Sequence, residues 1–288
     1  MKRFDALTSV IILSLAGLLI FVWYDILFTK STSGAGIYFL DVGQGDAELL
    51  LLPQNIKILT DAGPDQKILQ TIEKVLPRQD RYIDIAVISH PQSDHFRGFN
   101  YLLDNYRFGA FIFNGRSDSQ KTGEWQNLFD KIKAQKIPLI TLARGDKISY
   151  RENQIEFLSP SYEFIQSAAI NDTALVELIK TPAFKALLTS DIDVGVENYL
   201  VKNNIGLRAD ILKVSHHGSK YSSSGEFIEM VKPKLAIIEV GIDNKYGHPT
   251  KEALARLKSI ISYVFRTDQN GTIEIVAENQ KLKVYTEK

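Results

Sequence analysis

The sequence predicts a layered α/β fold, two mixed sheets packed together with helices outside. Three observations carry this. Strand-like segments come both as runs of neighbours and in alternation with helices. Several are continuous apolar runs, IDIAVISH (83–90) and GAFIFN (109–114) among them, as strands buried on both faces require. The helical segments are amphipathic, so each has a face to lay on a sheet.

Taken in order, GIYFLDV (36–42), ELLLLP (48–53) and IKILTD (56–61) are rich in branched apolar residues and read as strands. DQKILQTIEKVL (65–76) sets Ile68, Ile72 and Val75 at helical spacing, with Leu69 and Leu76 alongside. The strands at 83–90 and 109–114 precede an amphipathic helix, EWQNLFDKIKAQ (124–135). QIEFLSP (154–160), TALVELI (173–179) and FKALLTSD (184–191) are strand-like, and VGVENYLVKN (194–203) is helical. ADILKVSHH (209–217) is another buried strand, followed by helix EFIEMVK (226–232), strand LAIIEVG (235–241) and helix KEALARLKSI (251–260). YVFRT (263–267), TIEIVA (272–277) and KLKVYT (281–286) close the chain as strands, with QNG (269–271) as a turn.

The N-terminus reads differently. Ala6 to Phe28 is a largely apolar run with Asp25 its only charge. At about 1.5 Å per residue it reaches roughly 35 Å, enough to cross a hydrocarbon core of about 30 Å. Lys2 and Arg3 precede it and only Lys30 follows closely, which favours the N-terminus inside and the body outside the cytoplasm. A cleaved signal peptide is the alternative. Residues 1–30 are thus expected to be a membrane anchor, 31–35 a linker and 36–288 the working domain.

Lys+Arg and Asp+Glu both number 34, and residues 1–30 contribute three bases and two acids, so the body is near neutral. A global basic surface that wraps nucleic acid is excluded. The chain has no cysteine, so a metal site must use His, Asp, Glu and neutral oxygens. All five histidines fall in three short motifs: His90 and His95 in SHPQSDHFRG, His216 and His217 in SHHGSK, His248 in YGHPT. Histidine is the commonest metal ligand near neutral pH. The first motif follows a buried strand, and strand ends are where α/β proteins build sites. LLTSD (187–191) ends a further strand on Asp191, and SHHGSK ends another, with Ser219 and Lys220 candidates for holding a phosphate or carboxylate.

Together these motifs have the order and spacing of the metallo-β-lactamase superfamily. Residues 36–288 more specifically resemble the metallo-β-lactamase-like domain of ComEC-type DNA-uptake proteins, through FLDVGQGDA (39–47), ILTDAG (58–63), SHPQSDHFRG (89–98), NDTALV (171–176), LLTSD (187–191), ADILKVSHHGSK (209–220), YGHPT (246–250) and FRTDQNGTIEI (265–275). FLDVGQGDA and the HHGS segment are the most specific. The resemblance implies an αββα four-layer sandwich with a metal site at one edge of the sheets, and hydrolysis, associated in the ComEC-like branch with phosphodiester cleavage of DNA. In ComEC itself the domain accompanies a multi-helix membrane channel. A single apolar segment here makes a membrane-anchored relative the expectation, and DNA transport is not carried over.

Ligands carried over by motif give one metal Asp94, His95, His216 and a shared Asp191. The other receives His90, Asp191 and whatever position 92 offers. That residue is Gln92, where the superfamily usually has His and ComEC-like members often Asp, and no His lies between 95 and 216. Asn171, Asp172 or Thr173 could supply oxygen instead. The residues leave open which of His216 and His217 faces the metal; similarity to the superfamily favours His216. The expectation is one tight ion, Zn²⁺ or Mn²⁺, and a weak second site.

The implied chemistry is attack on phosphorus by a water whose pKa the metal lowers. Asp61, Asp46 or Asp94 would orient that water or a ligating histidine. His248, Lys220 and Ser219 are candidates for gripping the phosphate or protonating the leaving oxygen, with Asp46, Asn171 and His217 also expected near substrate. The expected function is a membrane-anchored phosphodiesterase or nuclease acting on DNA, single-stranded DNA included. A hydrolase of another ester (a lactone, a thioester, a cell-wall phosphodiester) and a noncatalytic surface module are the alternatives.

Overall fold

The computed structural model describes residues 6–28, 34–116, 123–203, 205–278 and 281–288. Lys2, Arg3 and Lys30, on which the expected membrane orientation rests, and linker residues 31–33 lie outside the described residues. Helix α1 (Ala6–Phe28) is continuous over 23 residues. Among the described residues no helix is long and apolar enough to cross a membrane.

The body contains β1 (Gly36–Phe39), β2 (Glu48–Leu52), β3 (Ile56–Thr60), α2 (Lys67–Val75), β4 (Tyr82–Ile88), α3 (Ser93–Leu102), β5 (Arg107–Phe113), α4 (Gly123–Ala134), β6 (Leu139–Thr141), β7 (Lys147–Tyr150) and β8 (Asn153–Ser159). It continues with α5 (Tyr162–Ile165), β9 (Val176–Lys180), β10 (Lys185–Leu188), α6 (Val194–Lys202), β11 (Ile211–Lys213), α7 (Gly225–Val231), β12 (Leu235–Ile238), α8 (Lys251–Ile260), β13 (Tyr263–Arg266), α9 (Thr267–Asn270), β14 (Ile273–Glu278) and β15 (Lys281–Thr286).

Two sheets form, in the orders β15-β14-β1-β2-β3-β4-β5-β6 and β13-β12-β11-β10-β9-β8-β7. Each is antiparallel in one half and parallel in the other. The parallel halves are β3-β4-β5-β6 and β10-β11-β12-β13. Side-chain alternation along β2 explains the layering. Leu50 and Leu52 enter the core between the sheets with Ile58, Val87, Phe157, Ile179 and Ile211. Leu49 and Leu51 face the other way, against Ile68 and Ile72 of α2, Phe96 and Phe99 of α3, and Leu128 of α4. The second sheet is covered likewise, with Val196 and Leu200 of α6 and Phe227 of α7 on Leu187 and Leu212. Leu257 of α8 packs with Ala236 and Ile238. Each buried Leu, Ile or Phe contributes roughly 1.5–3 kcal/mol. The outcome is the expected αββα sandwich.

The sequence leaves 93–102 as loop, and the structure makes it α3. Gly98 and a sparse apolar pattern hide the helix. The glycine has a packing reason, since a Cβ there would stand 1.9 Å from the Ala62 carbonyl oxygen. That close approach lets the Ala62 amide donate to the His95 carbonyl at 2.7 Å and the Gly98 amide to the Gly63 carbonyl at 2.9 Å. The first turn of α3, carrying Asp94 and His95, is thereby pinned to the end of β3.

Candidate metal centre

The chemistry-bearing residues sit just past the C-terminal ends of parallel strands from both sheets: Asp61 after β3, His90 after β4, Asp191 after β10, His216 and His217 after β11, and Glu239 after β12. This is the edge at which α/β sheets place sites. Asp94 and His95 enter from the start of α3. Asp94, His95, Asp191 and His217 each bring a ligand atom within 4.8 Å of the others. His217 Nε2 lies 3.4 Å from Asp191 Oδ2 and 3.5 Å from Asp94 Oδ2, and His95 Nε2 lies 3.4 Å from Asp191 Oδ2.

Each histidine is aimed by its other nitrogen. His95 Nδ1 donates to Asp61 Oδ2 at 2.7 Å. Asp61, in left-handed backbone (φ 54°), also accepts from the Ser89 amide at 2.8 Å and the Ser89 hydroxyl at 2.5 Å. One carboxylate thus ties together β3, β4 and α3. His217 Nδ1 donates to the Glu239 carbonyl at 2.8 Å. These bonds fix the tautomer in which each Nε2, once deprotonated, would present its lone pair to a metal.

The SHHG turn decides which histidine faces inward. His216 and His217 both take left-handed backbone, φ 51° and 50°, followed by Gly218 at φ 82°. Such residues cost about 1–3 kcal/mol each, which the surrounding contacts must offset. A Cβ on Gly218 would lie 2.6 Å from Pro249, so only glycine lets the YGHPT loop close on the turn. The turn sends the neighbouring rings apart, with centroids 6.4 Å apart. His217 is buried in the cluster. His216 faces Asp193, with Nδ1 at 2.9 Å, and its Nε2 stays 4.0 Å from Asp191. The turn thus brings His217, a residue expected near substrate, into the donor cluster and leaves the expected ligand His216 at the cavity wall.

Behind the cluster lies buried Lys213, which contacts Asp46 directly, donates to the Ser190 carbonyl at 3.0 Å and sits 3.7 Å from Asp191 Oδ1. Burial alone would raise the carboxyl of Asp46, but Lys213 and then His217 and His95 pull it well below its ordinary value. Burial disfavours the charged form of His217, yet Asp191 and Asp46 outweigh this and hold it up at about 10. His95 is raised for the same reason, Asp191 and Asp61 overriding burial. Asp191 is held well below the carboxylate range, His217 and His95 overcoming its desolvation. His90 goes the other way, to about 4, through burial and the nearby His95. Glu239 is pushed up to about 8 by burial and by Asp46.

A polar cavity of about 240 Å³ opens over the cluster, lined by Gln44, Gln92, Ser93, Asp94, Asp191, His216, His217, Tyr246 and His248. His248 takes its expected place at the rim, 5.8 Å from the His216 ring and stacked on Tyr246 at 6.2 Å. Burial and His216 lower its pKa. Three expected roles are corrected. Asp46 is fully buried against Lys213 and cannot touch substrate. Lys220 is exposed, its ammonium 5.0 Å over the Tyr221 ring, and does not line the cavity. Ser219 is buried in the turn, its hydroxyl accepting from the Tyr221 amide. Asp61 acts behind His95 and not at the cavity wall. Asn171 does not line the cavity itself: its Oδ1 accepts from Gln92 Nε2 at 2.6 Å and its Nδ2 lies 3.5 Å from the His216 ring nitrogens. Gln44, Tyr246, Asp193 and Lys213 escaped the sequence reading. Lys213 alone carried a signal, being a charge inside a strand buried on both faces, which demands a partner.

The donor set fits a divalent ion. His95 Nε2, His217 Nε2 and Asp191 Oδ1 are buried without a hydrogen-bond partner. Orphaned buried polar atoms cost about 1–3 kcal/mol each. Two imidazole nitrogens and two carboxylates make a four-donor set suited to Zn²⁺ or Mn²⁺.

No family model matches the chain. It is 29% identical over 266 residues to ComE operon protein 3 of Bacillus subtilis, covering 86% of this chain and 34% of that protein. It is 27% identical over 266 residues to competence protein ComA of Neisseria gonorrhoeae, covering 87% and 34%. The metallo-β-lactamase fold protein YhfI from Bacillus subtilis superposes with a TM-score of 0.56 at 13% identity, covering 83% of this chain and 99% of that one. The body of the chain is thus similar in sequence to ComEC-type proteins and has the metallo-β-lactamase fold. A metal-dependent hydrolase of the β-lactamase superfamily shares the fold of this ComEC-like domain, with a TM-score of 0.54 at 14% identity over 85% of this chain and 100% of that one. The chain spans about a third of the length of the curated relatives it matches.

Proposed function

We propose that the ComEC-like domain is a metal-dependent hydrolase that cleaves phosphodiesters, DNA among them. One observation carries the reading: Asp94, His95, Asp191 and His217 converge beneath an open polar cavity, with the Nε2 atoms of both histidines orphaned. A divalent ion held there would lower the pKa of a water and offset charge on a phosphoryl oxygen. The chain's own residues supply the rest. Asp61 and the Glu239 carbonyl fix the orientation of the two imidazoles. His248 and the Asp193-held His216 stand at the rim, in position to pass a proton to a leaving oxygen. The DNA assignment is supported by the Neisseria gonorrhoeae relative, which is named a competence protein.

A second reading, hydrolysis of another ester, is favoured by one feature. Among the described residues lining the cavity there is no Lys or Arg, so nothing but the ion would balance a polyanion there. Cleavage of single- and double-stranded DNA by the protein with Mn²⁺ or Zn²⁺, beside an Asp191→Ala control, separates the readings. Metal-dependent cleavage that the control lacks is expected. A folded, metal-loaded protein that spares DNA but hydrolyses a lactone or thioester would favour the second.

Anchoring of the domain outside the cytoplasmic membrane face is part of the proposal. The 23-residue helix α1, with exposed Val10, Ile11, Leu13, Leu18 and Ile20, supports it. Membrane fractionation with alkaline washing tests it: the chain should stay with the membrane, and release by the wash would count against an anchor.

A further inference from the structure

The two halves of the centre are not equivalent. The Asp94, His95, Asp191 and His217 half is complete for one ion. The other half contains one imidazole, His90, whose Nδ1 is held by Ser89 Oγ at 2.9 Å and Ser190 Oγ at 3.2 Å, with Nε2 buried and unpartnered. Beside it stand two neutral amides joined to each other. The 2.6 Å bond from Gln92 Nε2 uses the side-chain oxygen that Asn171 could offer a cation. It leaves Asn171 Nδ2, a donor, 3.5 Å from the ring nitrogens of His216.

Asp191 is divided in the same sense. Its Oδ2 lies among His95, His217 and His216, while its Oδ1 is 3.7 Å from the Lys213 ammonium. A second cation would meet one imidazole nitrogen, the uncharged Gln92 oxygen and a carboxylate oxygen already facing a fixed positive charge. Three donors equal the number in an open catalytic site, but one is a neutral amide oxygen and the carboxylate already faces the Lys213 ammonium, which repels a further cation.

We propose that this is a one-metal centre, in which the Gln92–Asn171 amide pair stands where a second ion would be held and offers N–H donors to a substrate oxygen. The ion count is independent of the phosphodiesterase reading; only the identity of that oxygen, a phosphoryl oxygen, rests on it.

Mn²⁺ titration of the full chain, read by metal analysis and electron paramagnetic resonance, tests the inference. One ion per chain with the hyperfine spectrum of an isolated ion is expected. The double variant Gln92→Asp, Asn171→His, which returns charged and imidazole donors, should take up a second ion and give a spin-coupled spectrum. Two ions in the unaltered protein, or no bound ion, would overturn the proposal. A folded double variant that still holds one ion would overturn the role of the amide pair. Should the double variant not fold, Gln92→Asp alone, at a half-buried position, should gain measurable affinity for a second ion. One ion without hydrolysis of DNA or of a simple diester such as bis(p-nitrophenyl) phosphate upholds the inference and removes the phosphodiesterase reading; two ions with hydrolysis does the reverse.

Discussion

The Asp94–His217 half of the cavity and the Gln92–Asn171 half share one sheet edge and differ in how their side chains are held. In the first half each imidazole is fixed from behind by a partner outside the cluster, Asp61 for His95 and the Glu239 carbonyl for His217. Their inward atoms are left without protein partners. In the second half the amides hold each other. A side chain pinned from behind keeps its functional atom free for a ligand; a pair bonded face to face has already used part of its capacity. The contrast explains why one strand-end scaffold can present a complete donor set a few ångströms from an incomplete one.

The comparison can be broken most severely at Asp191. Asp191→Ala removes a ligand and leaves Lys213, His95 and His217 without their shared carboxylate. We expect metal affinity to fall by well over about 100-fold, more than loss of an outer partner causes. Stability should fall by about 3–5 kcal/mol, as when one partner of a buried ion pair is removed. Metal titration and denaturant unfolding read the two effects. A variant that keeps tight binding would show that Asp191 is not a ligand.

Next in size is the pair of adjacent histidines. His217→Ala should weaken metal binding beyond the roughly 10–100-fold range of an outer partner, whereas His216→Ala should stay within about tenfold. The reverse order, measured by the same titration, would restore the ligand assignment that family similarity favours. Asp61→Asn should give an intermediate result, roughly 10–100-fold weaker binding, because His95 loses the carboxylate that fixes its tautomer. Unchanged affinity would mean that Asp46, whose Oδ2 lies 3.7 Å from His95 Nδ1, suffices.

The last comparison concerns a carboxyl outside the cluster. Glu177 is fully buried and bonded by Thr60 Oγ1 at 3.0 Å. Burial, with a smaller push from Asp61, raises it to about 8, while Asp46, facing Lys213, goes down. A raised carboxyl stabilises the fold fully below its unfolded value near 4.5, and that contribution is lost as pH rises through about 8. Within this window Glu177 should cost the fold about 1 kcal/mol per pH unit. Urea unfolding at pH 5 to 8 should show a flatter profile for Glu177→Gln. Parallel profiles would mean that Glu177 is ionised inside the fold.

Most strands, the amphipathic helices and the αββα layering were legible, because period-2 and helical spacings record burial directly. Helix α3 was not, since its Gly98 answers to a contact with Ala62, distant in sequence. Asp94, His95 and Asp191 were legible as candidates from motifs that follow strands, and His248 from its YGHPT motif. His217 was not separable from His216, because two adjacent histidines have the same composition and the same strand before them. Only the successive left-handed backbone angles of the turn part their rings. Lys220 was misread because its motif resembles a phosphate grip, whereas its side chain lies over Tyr221.

The sequence by itself determined the layered fold, the near-neutral body, the cysteine-free donor chemistry and the gathering of every histidine into three motifs. Local pattern suffices for these, since each depends on residue type and short spacing. The tertiary structure decided which histidine enters the cluster, that Lys213 neutralises Asp46, and that Gln92 bonds Asn171. Those outcomes depend on how β4, β10, β11 and the segment before β9 meet in space, and no single stretch of the chain contains that information.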